Sequence, residues 1–286
     1  MLEPARTGAI NGLVTGVVGP AADPHGSPPM PPDRGSDGTV GAWLPGPLLF
    51  ARFAFPPNRL GLCGPESGLT LPERVRAGRT DPELRRLAEG FEGAYPYLRM
   101  IATENRLADP LDARVVEAYW LGNDLLGEVG ARARHEDLTE RFRPRTAARE
   151  WRWLEGKSGG PSMVHHSFHV LEILPRIGLI RGGLPPDLLA VLERCLVRPG
   201  RVTALGPDGI DVDLPSLELV DGALRLGSPT AVHLEAPVRD GFGDVLLPGD
   251  DVAVHWERVC GRLSPVQAAR LTAVTRRNLE VANTTL

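Results

Sequence analysis

Cys195 and His255 are the residues of this chain whose types and placement best suit metal chemistry. Cys195 stands just before the run Leu196–Val202, and His255 ends the run Gly249–His255. Both runs read as strands at the start and end of a small β-barrel, where such end positions can meet at one rim. A soft thiolate beside an imidazole suits a transition metal. The sequence therefore predicts a metal site made by these two side chains.

A second group with ligand chemistry is the histidine cluster His165, His166 and His169, which lies between Pro161 and Pro175. If this run is a helix, His165 and His169 are four residues apart on one face and can chelate one ion. If it is a strand, the same side chains stand roughly 13 Å apart, too far to share an ion. The residue pattern leaves helix and strand open. Acid-base chemistry and hydrogen-bonded histidines in an interface are the alternatives.

Cys63 lies in the loop Gly61–Pro65, where glycines on both sides allow tight backbone geometry and leave the sulfur little steric cover. A cysteine in such a loop can be a nucleophile or a metal ligand, or a small hydrophobe at a turn. We expect Cys63 to share a pocket with His165, His166 and His169, because soft and borderline ligands here stand in glycine-bounded segments.

The surrounding patterns predict an α+β fold: a mostly helical N-terminal domain, then a small OB-like β-barrel with a C-terminal helix. Residues 40–186 show helical spacing and helix-start signals, although the apolar run Leu48–Phe55 is expected to stop at Pro56-Pro57. Residues 187–286 show short apolar runs broken by the turn pairs Asp208-Gly209 and Asp221-Gly222.

Composition narrows the class of function. A net charge of −4 argues against a dedicated nucleic-acid binder, which usually presents a basic face. The 3 cysteines form no CxxC pair, which favours a reducing cytoplasm over a disulfide framework. No apolar run reaches the ~18 residues that span a bilayer, so no membrane association is expected. Residues 1–39 are rich in Gly and Pro and predict a disordered, low-complexity tail.

Two motifs and a helical tail, in order, resemble the HypC-type chaperones of nickel-iron hydrogenase maturation. The motifs are Cys-x-x-x-Pro-Gly-x-Val from Cys195 and Gly-Asp-x-Val-x-Val-His ending at His255, and the tail is Arg262–Leu271. The resemblance implies that Cys195 helps to carry an iron bearing cyanide and carbonyl ligands, with His255 nearby. It also implies a hydrogenase large subunit or another maturation protein as the partner.

The chain from Trp43 to Asn283 is also similar to an uncharacterised actinobacterial family linked to hydrogenase gene neighbourhoods. The segments Gly61–Pro65, Ala118–Trp120 and His165–His169 carry this resemblance. Together the observations favour an iron-handling maturation scaffold. A metal- or Cys/His-dependent enzyme acting on a small molecule, and a two-domain interaction module without chemistry, are the alternatives. Whether the chain is an enzyme stays open.

Overall fold

The chain is helical up to Cys195 and mainly extended from Arg198 to Leu263 in a computed structural model that describes residues 44–66, 78, 80–158, 160–175, 187–235 and 246–284. The expected tail at 1–39 lies outside these residues. The helices before the sheet are α1 (Gly46–Arg59), α2 (Pro82–Glu89), α3 (Tyr95–Glu104), α4 (Ala113–Trp120), α5 (Ala131–Phe142), α6 (Ala148–Ser158), α7 (His166–Phe168) and α8 (Leu188–Cys195). Short 3-10 turns occupy Asp124–Glu128 and Arg143–Arg145, and a π-helical turn, His169–Ile173, continues α7. No helix in the described segments is long and apolar enough to cross a membrane.

The extended part is one antiparallel sheet, followed by a long helix. Its strands are β1 (Arg198–Leu205), β2 (Ile210–Val220), β3 (Ala223–Leu234), β4 (Asp251–His255) and β5 (Arg258–Leu263), and the helix is α9 (Pro265–Asn283). The strand order is β3-β2-β1-β4-β5. This confirms the α+β class, with a helical N-terminal part and a C-terminal helix. Within the described strands β3 and β5 are the two edges, so closure into a barrel stays a prediction.

The turns between strands follow local backbone chemistry. Asp221 and Gly222 take φ of 51° and 78°, which makes the tight β2–β3 hairpin that the sequence predicts. Gly209 serves a different need, because a Cβ there would come 2.3 Å from the Leu234 carbonyl oxygen. His255 was expected to end the last strand, which is wrong: Trp256 and Glu257 turn the chain into β5.

Helix α1 runs through Pro56 and Pro57 to Arg59, so the expected stop at these prolines is wrong. A proline removes the helical hydrogen bond to the carbonyl four residues earlier, which normally weakens a helix. Here the packing compensates, since nearly every residue from Leu48 to Asn58 is buried. The loss leaves the Phe53 carbonyl without its usual helical donor.

Helices and sheet share one hydrophobic core. The largest cluster of buried side chains joins α1, α3 and α4 to Val197, Ala253, Cys260 and Leu271. All described residues belong to one compact unit, Ser36–Leu286. The parts assigned from sequence to 40–186 and 187–286 are therefore packed together, and the candidate residues lie along their junction.

Candidate metal centre

Strand pairing brings Cys195 and His255 to the same end of the sheet. Cys195 is the last residue of α8, and β1 begins soon after it at Arg198. The register of β1 and β4 sets Arg198 opposite the residue before His255. The N–H of Trp256 also donates to the Arg194 carbonyl at 2.9 Å, which fixes the contact between the end of β4 and the end of α8.

His255 is held through Nδ1 and presents Nε2 to Cys195. Nδ1 lies 2.8 Å from the Phe53 carbonyl oxygen, which can only accept, so Nδ1 carries the proton and Nε2 the lone pair. Burial lowers the pKa of His255 to about 4, against the opposing effect of the Phe53 and Cys195 carbonyls. The ring is therefore neutral near pH 7. Within the described residues, Nε2 has no hydrogen-bond partner, and the Cys195 carbonyl, though close, completes no bond with it.

His166 is held in the opposite tautomer, with its proton on Nε2. Its Nε2 lies 2.8 Å from the Cys195 carbonyl oxygen and its Nδ1 lies 3.2 Å from the Tyr119 hydroxyl. The carbonyl accepts from Nε2–H, so the Tyr119 hydroxyl donates to Nδ1. To bind a metal through Nε2, the ring must move its proton to Nδ1. Tyr119 can then accept that proton's hydrogen bond while donating to the Gly93 carbonyl, which lies 3.4 Å away.

Electrostatics keep the cluster uncharged near neutral pH. Burial lowers the pKa of His166 well below its ordinary value, and the neighbouring His255 adds to the fall. Burial, and after it the nearby Cys63, raise the pKa of the Cys195 thiol to about 12, against the effect of the Trp256 side chain. The site therefore offers two neutral imidazoles and a thiol whose proton a metal must displace.

The ligand atoms of His166, Cys195 and His255 all lie within 4.8 Å of one another. Cys195 Sγ is 4.0 Å from His166 Nε2. Because metal bonds to nitrogen and sulfur are ~2.0–2.3 Å long, small side-chain movements would close all three donors on one ion. One thiolate and two imidazoles suit iron or another borderline transition metal and leave a further coordination position open. Cys195 is partly exposed, whereas both histidines are buried.

The other two histidines of the cluster have different partners. Within the run 162–175, residues 166–175 are helical through α7 and the π-helical turn, whereas 162–165 are not. His165 is the N-cap of α7, where its Nδ1 accepts from the Ser167 N–H at 3.0 Å. His169 Nδ1 lies 3.2 Å from the Tyr97 hydroxyl. His165 and His169 do not share a helix face, because His165 lies before the helix. His166 is the histidine of this run whose ring nitrogen lies close to Cys195 and His255.

Asn278 of α9 fixes the segment that carries His166. Its side-chain oxygen accepts from the Met163 N–H at 2.8 Å, and its NH₂ group donates to the Met163 carbonyl at 3.1 Å and to the Ser167 hydroxyl at 2.8 Å. Asn278 is fully buried, so these bonds are shielded from water. The position of His166 is thus set from a residue far along the chain.

Cys63 lies outside the ligand set. It is exposed. The pocket that we expected Cys63 to share with His165, His166 and His169 stays a prediction. Within the described part of the chain, the set of donors within 4.8 Å contains His166 and omits Cys63, His165 and His169.

Three contacts of the site were missed by sequence reasoning. Tyr119 and Trp120 place their rings 5.6 Å and 4.5 Å from the His166 ring, and the adjacent aromatic pair in α4 was the available signal. The Phe53 carbonyl had a signal in Pro57, which has no N–H to occupy it. Neither signal predicts a contact with the site until the packing of the helices on the sheet is known.

The fold and the site define the class of this protein: it is an α+β protein with a Cys/His centre at the junction of its helices and its sheet. The chain belongs to DUF6390, a family of unknown function whose family model matches residues 42–286. The matched span contains all the candidate residues, from Cys63 to His255. No curated protein and no solved structure matches the chain.

Proposed function

We propose that this chain is an accessory protein of nickel-iron hydrogenase maturation that carries an iron fragment on Cys195, His255 and His166. The observation that supports it is the approach of one thiol and two neutral imidazoles to within 4.8 Å. Cys195 and His255 stand at the positions that the resemblance to the HypC-type chaperones implies. The iron is cargo, which the protein receives and passes on.

The donor set favours a carrier over a permanent structural site. Structural metal sites usually close on four protein ligands, whereas three leave room for ligands that the iron brings, such as cyanide and carbonyl. A deprotonated Cys195 gives a strong bond to a soft, low-spin iron. Because Cys195 keeps some contact with solvent, a client protein can approach the iron from that side.

The helical part supplies the surroundings of the iron. The Phe53 carbonyl orients His255, and Tyr119 is placed to orient His166, which are the outer contacts that histidine ligands normally have. The Trp120 ring lies 5.6 Å from His255 and shields this side from water. In this proposal the helices complete the iron's environment, and the client is a hydrogenase large subunit or another maturation protein in the cytoplasm.

The test is the iron content of the full chain, purified without oxygen from cells that mature a nickel-iron hydrogenase. We expect iron below one equivalent and infrared bands of cyanide and carbonyl. Cys195→Ala should lack both the iron and the bands, and His255→Ala should keep less iron than the natural chain. Normal hydrogenase maturation in cells that carry only Cys195→Ala would contradict the proposal.

A Cys/His-dependent enzyme is the second candidate, because Cys195 Sγ is 4.0 Å from an imidazole nitrogen of His166. That nitrogen donates to the Cys195 carbonyl, so its lone pair is not available to take the thiol proton. The high pKa of the thiol also disfavours a nucleophile. Turnover of a small molecule that depends on Cys63 or His169 would favour the enzyme over the carrier.

A further inference from the structure

The two histidines of the centre differ in the partners of their Nε2 atoms. His255 Nε2 is buried and has no hydrogen-bond partner within the described residues. His166 Nε2 lies 2.8 Å from the Cys195 carbonyl oxygen and donates its proton to it. A buried polar atom without a partner is costly, whereas a bonded one is not. Metal binding therefore gives His255 Nε2 a partner that it lacks, but requires His166 Nε2 to leave a partner that it has.

The Tyr119 hydroxyl can serve both tautomers of His166. Its oxygen lies 3.2 Å from His166 Nδ1 and 3.4 Å from the Gly93 carbonyl oxygen. A hydroxyl has one proton to donate and two lone pairs that accept. While the His166 proton is on Nε2, the hydroxyl donates to Nδ1. Once that proton is on Nδ1, the hydroxyl accepts from Nδ1–H and donates to the Gly93 carbonyl instead. Nδ1 of His166 is therefore hydrogen-bonded in either form.

Aromatic neighbours hold the His166 ring in place while its proton changes position. The Trp120 ring centre lies 4.5 Å from that of His166, and the Tyr119 ring centre lies 5.6 Å from it. Tyr119 is fully buried and stacks on Tyr97, with ring centres 5.9 Å apart and planes 14° apart. Close packing of this kind fixes the orientation of rings. The Tyr119 hydroxyl is therefore beside His166 Nδ1 whichever nitrogen carries the proton.

We propose that His166 is the releasable ligand of the centre and that Tyr119 is the positioning residue that switches its tautomer. The inference rests on the proposed function and concerns how the cargo is released. When a client takes the iron, His166 leaves first, because the Cys195 carbonyl offers its Nε2 another partner at 2.8 Å. His255 leaves later, because its Nε2 has no such alternative among the described residues.

The exchange involves no redox change and leaves the His166 ring neutral. On loading, the bond from Nε2 to the metal forms as the bond from Nε2–H to the Cys195 carbonyl breaks. Water takes the Nε2 proton and returns one to Nδ1, so the ring gains and loses one proton. The Tyr119 hydroxyl keeps its own proton and turns it from Nδ1 to the Gly93 carbonyl. Release runs the same steps in reverse, and water reaches the site where Cys195 is partly exposed.

Titration of the full chain with Zn²⁺, followed by NMR of ¹⁵N-labelled histidine, tests the inference. Zn²⁺ takes the same sulfur and nitrogen donors, and ring ¹⁵N shifts distinguish protonated, free and metal-bound nitrogens. Without zinc, His166 should carry its proton on Nε2. With zinc, it should carry the proton on Nδ1 and bind through Nε2. His255 should carry its proton on Nδ1 in both states, and replacement of each histidine in turn assigns the signals.

Tyr119→Phe should weaken zinc binding by about tenfold, the usual effect of losing an outer partner of a histidine ligand. With zinc bound, the change removes the partner of both His166 Nδ1–H and the Gly93 carbonyl, whereas without zinc only Nδ1 loses one. Tyr97→Phe is the matched control, because it removes a hydroxyl from the other ring of the same buried stack. That hydroxyl lies 3.2 Å from Nδ1 of His169, which is outside the ligand set. The control should keep zinc affinity within twofold and the same tautomers.

The two histidine variants test which ligand is releasable. His166→Ala should weaken zinc binding less than His255→Ala does, because His166 gives up a hydrogen bond in order to bind and His255 gives up none. Chelator competition measures both affinities, on samples shown to be folded by circular dichroism.

The outcomes separate the inference from the proposed function. If the natural chain binds no Zn²⁺, the carrier function falls, and the inference falls with it. If zinc binds while His166 keeps its proton on Nε2, the inference is overturned, and the carrier holds its cargo through Cys195 and His255. Equal zinc affinities for Tyr119→Phe and Tyr97→Phe would overturn the role of Tyr119. An equal loss of affinity in His166→Ala and His255→Ala would overturn the assignment of His166 as the releasable ligand.

Discussion

The Phe53 carbonyl oxygen accepts a hydrogen bond from Nδ1 of His255 at 2.8 Å, between residues 202 positions apart in the chain. The bond selects the neutral tautomer whose Nε2 lone pair faces Cys195. It is available because Pro57, four residues after Phe53 in α1, has no N–H to offer that carbonyl. A proline inside a helix thereby creates the acceptor that orients a donor at the end of β4.

Replacing Pro57 with Ala restores an N–H that competes with His255 for the Phe53 carbonyl. We expect metal affinity to fall by about 10- to 100-fold, the usual effect of losing an outer partner of a histidine ligand. Stability without metal should hold or rise, because proline inside a helix costs about 3 kcal/mol relative to alanine. Chelator competition and thermal unfolding measure the two effects.

Pro56→Ala is the matched control, because it restores the neighbouring N–H, whose helical acceptor is the Arg52 carbonyl and not that of Phe53. Its metal affinity should stay within twofold of the natural chain. Equal losses in the Pro56 and Pro57 variants would mean that α1 as a whole, rather than the Phe53–His255 bond, governs the site.

The parts of the fold that depend on neighbours in sequence were predictable. Asp81 caps α2, Ser264 and Gln267 form a capping box at α9, and Asp221-Gly222 makes a hairpin. Each signal acts within a few residues, so tertiary packing does not change it. The approach of Cys195 and His255 follows from one strand pairing.

The choice among the three histidines was not predictable in this way. Adjacent helix residues point about 100° apart, so a shift of one position changes which ring faces the sheet. That position depends on His165 acting as a cap and on Asn278 holding Met163 and Ser167. A partner 115 positions away from Met163 leaves no mark in the local pattern.

Cys195→Ala should abolish metal binding while keeping the fold. We expect a loss above about 100-fold, larger than the effect of outer contacts, because a direct donor is removed. The metal-free protein should lose about 1 kcal/mol or less of unfolding free energy, since Cys195 is partly exposed at the end of α8. Isothermal titration and urea unfolding measure these quantities.

Cys260→Ala is the control for the loss of a thiol. Cys260 is fully buried in β5 and lies outside the ligand set, so its replacement should cost about 0.5–3 kcal/mol of stability and leave metal affinity unchanged. If the Cys260 variant lost the metal and the Cys195 variant kept it, the assigned centre would be wrong.

Metal affinity should rise with pH through the thiol of Cys195. Its pKa of about 12 means that each metal bound near neutral pH releases one proton. The apparent association constant should therefore rise about tenfold per pH unit between about pH 6 and pH 9. His255, with a pKa of about 4, is already neutral there and adds no slope. A flat profile from chelator competition across this range would contradict thiolate ligation.

Folding stability should fall in mild acid because two buried histidines resist protonation. Burial lowers the pKa of His165 to about 3 and of His255 to about 4. The unfolded chain takes up these protons near the ordinary histidine pKa, and the folded chain does not. Their contribution is therefore present above about pH 6.5 and is lost as pH falls toward the folded values. The urea midpoint should drop between pH 7 and pH 4.5.

His165→Asn separates this effect from the titration of carboxylates. Asparagine can still cap α7 but does not titrate, so the variant should show a shallower loss of stability in acid. Identical pH profiles for the variant and the natural chain would rule out His165 as a source of the acid sensitivity.

Asn278→Ala should weaken both the fold and the metal site. The change leaves the N–H and carbonyl of Met163 without their partner in a buried place, which costs about 1–3 kcal/mol. Because Asn278 holds the segment just before His166, metal affinity should fall as well.

Asn283→Ala is the matched control: Asn283 bonds the Leu224 N–H at 2.8 Å and its carbonyl at 2.9 Å, away from the cluster. It should cost stability and leave affinity unchanged. Equal affinity in the two variants, measured on samples shown to be folded by circular dichroism, would mean that α9 does not set the position of His166.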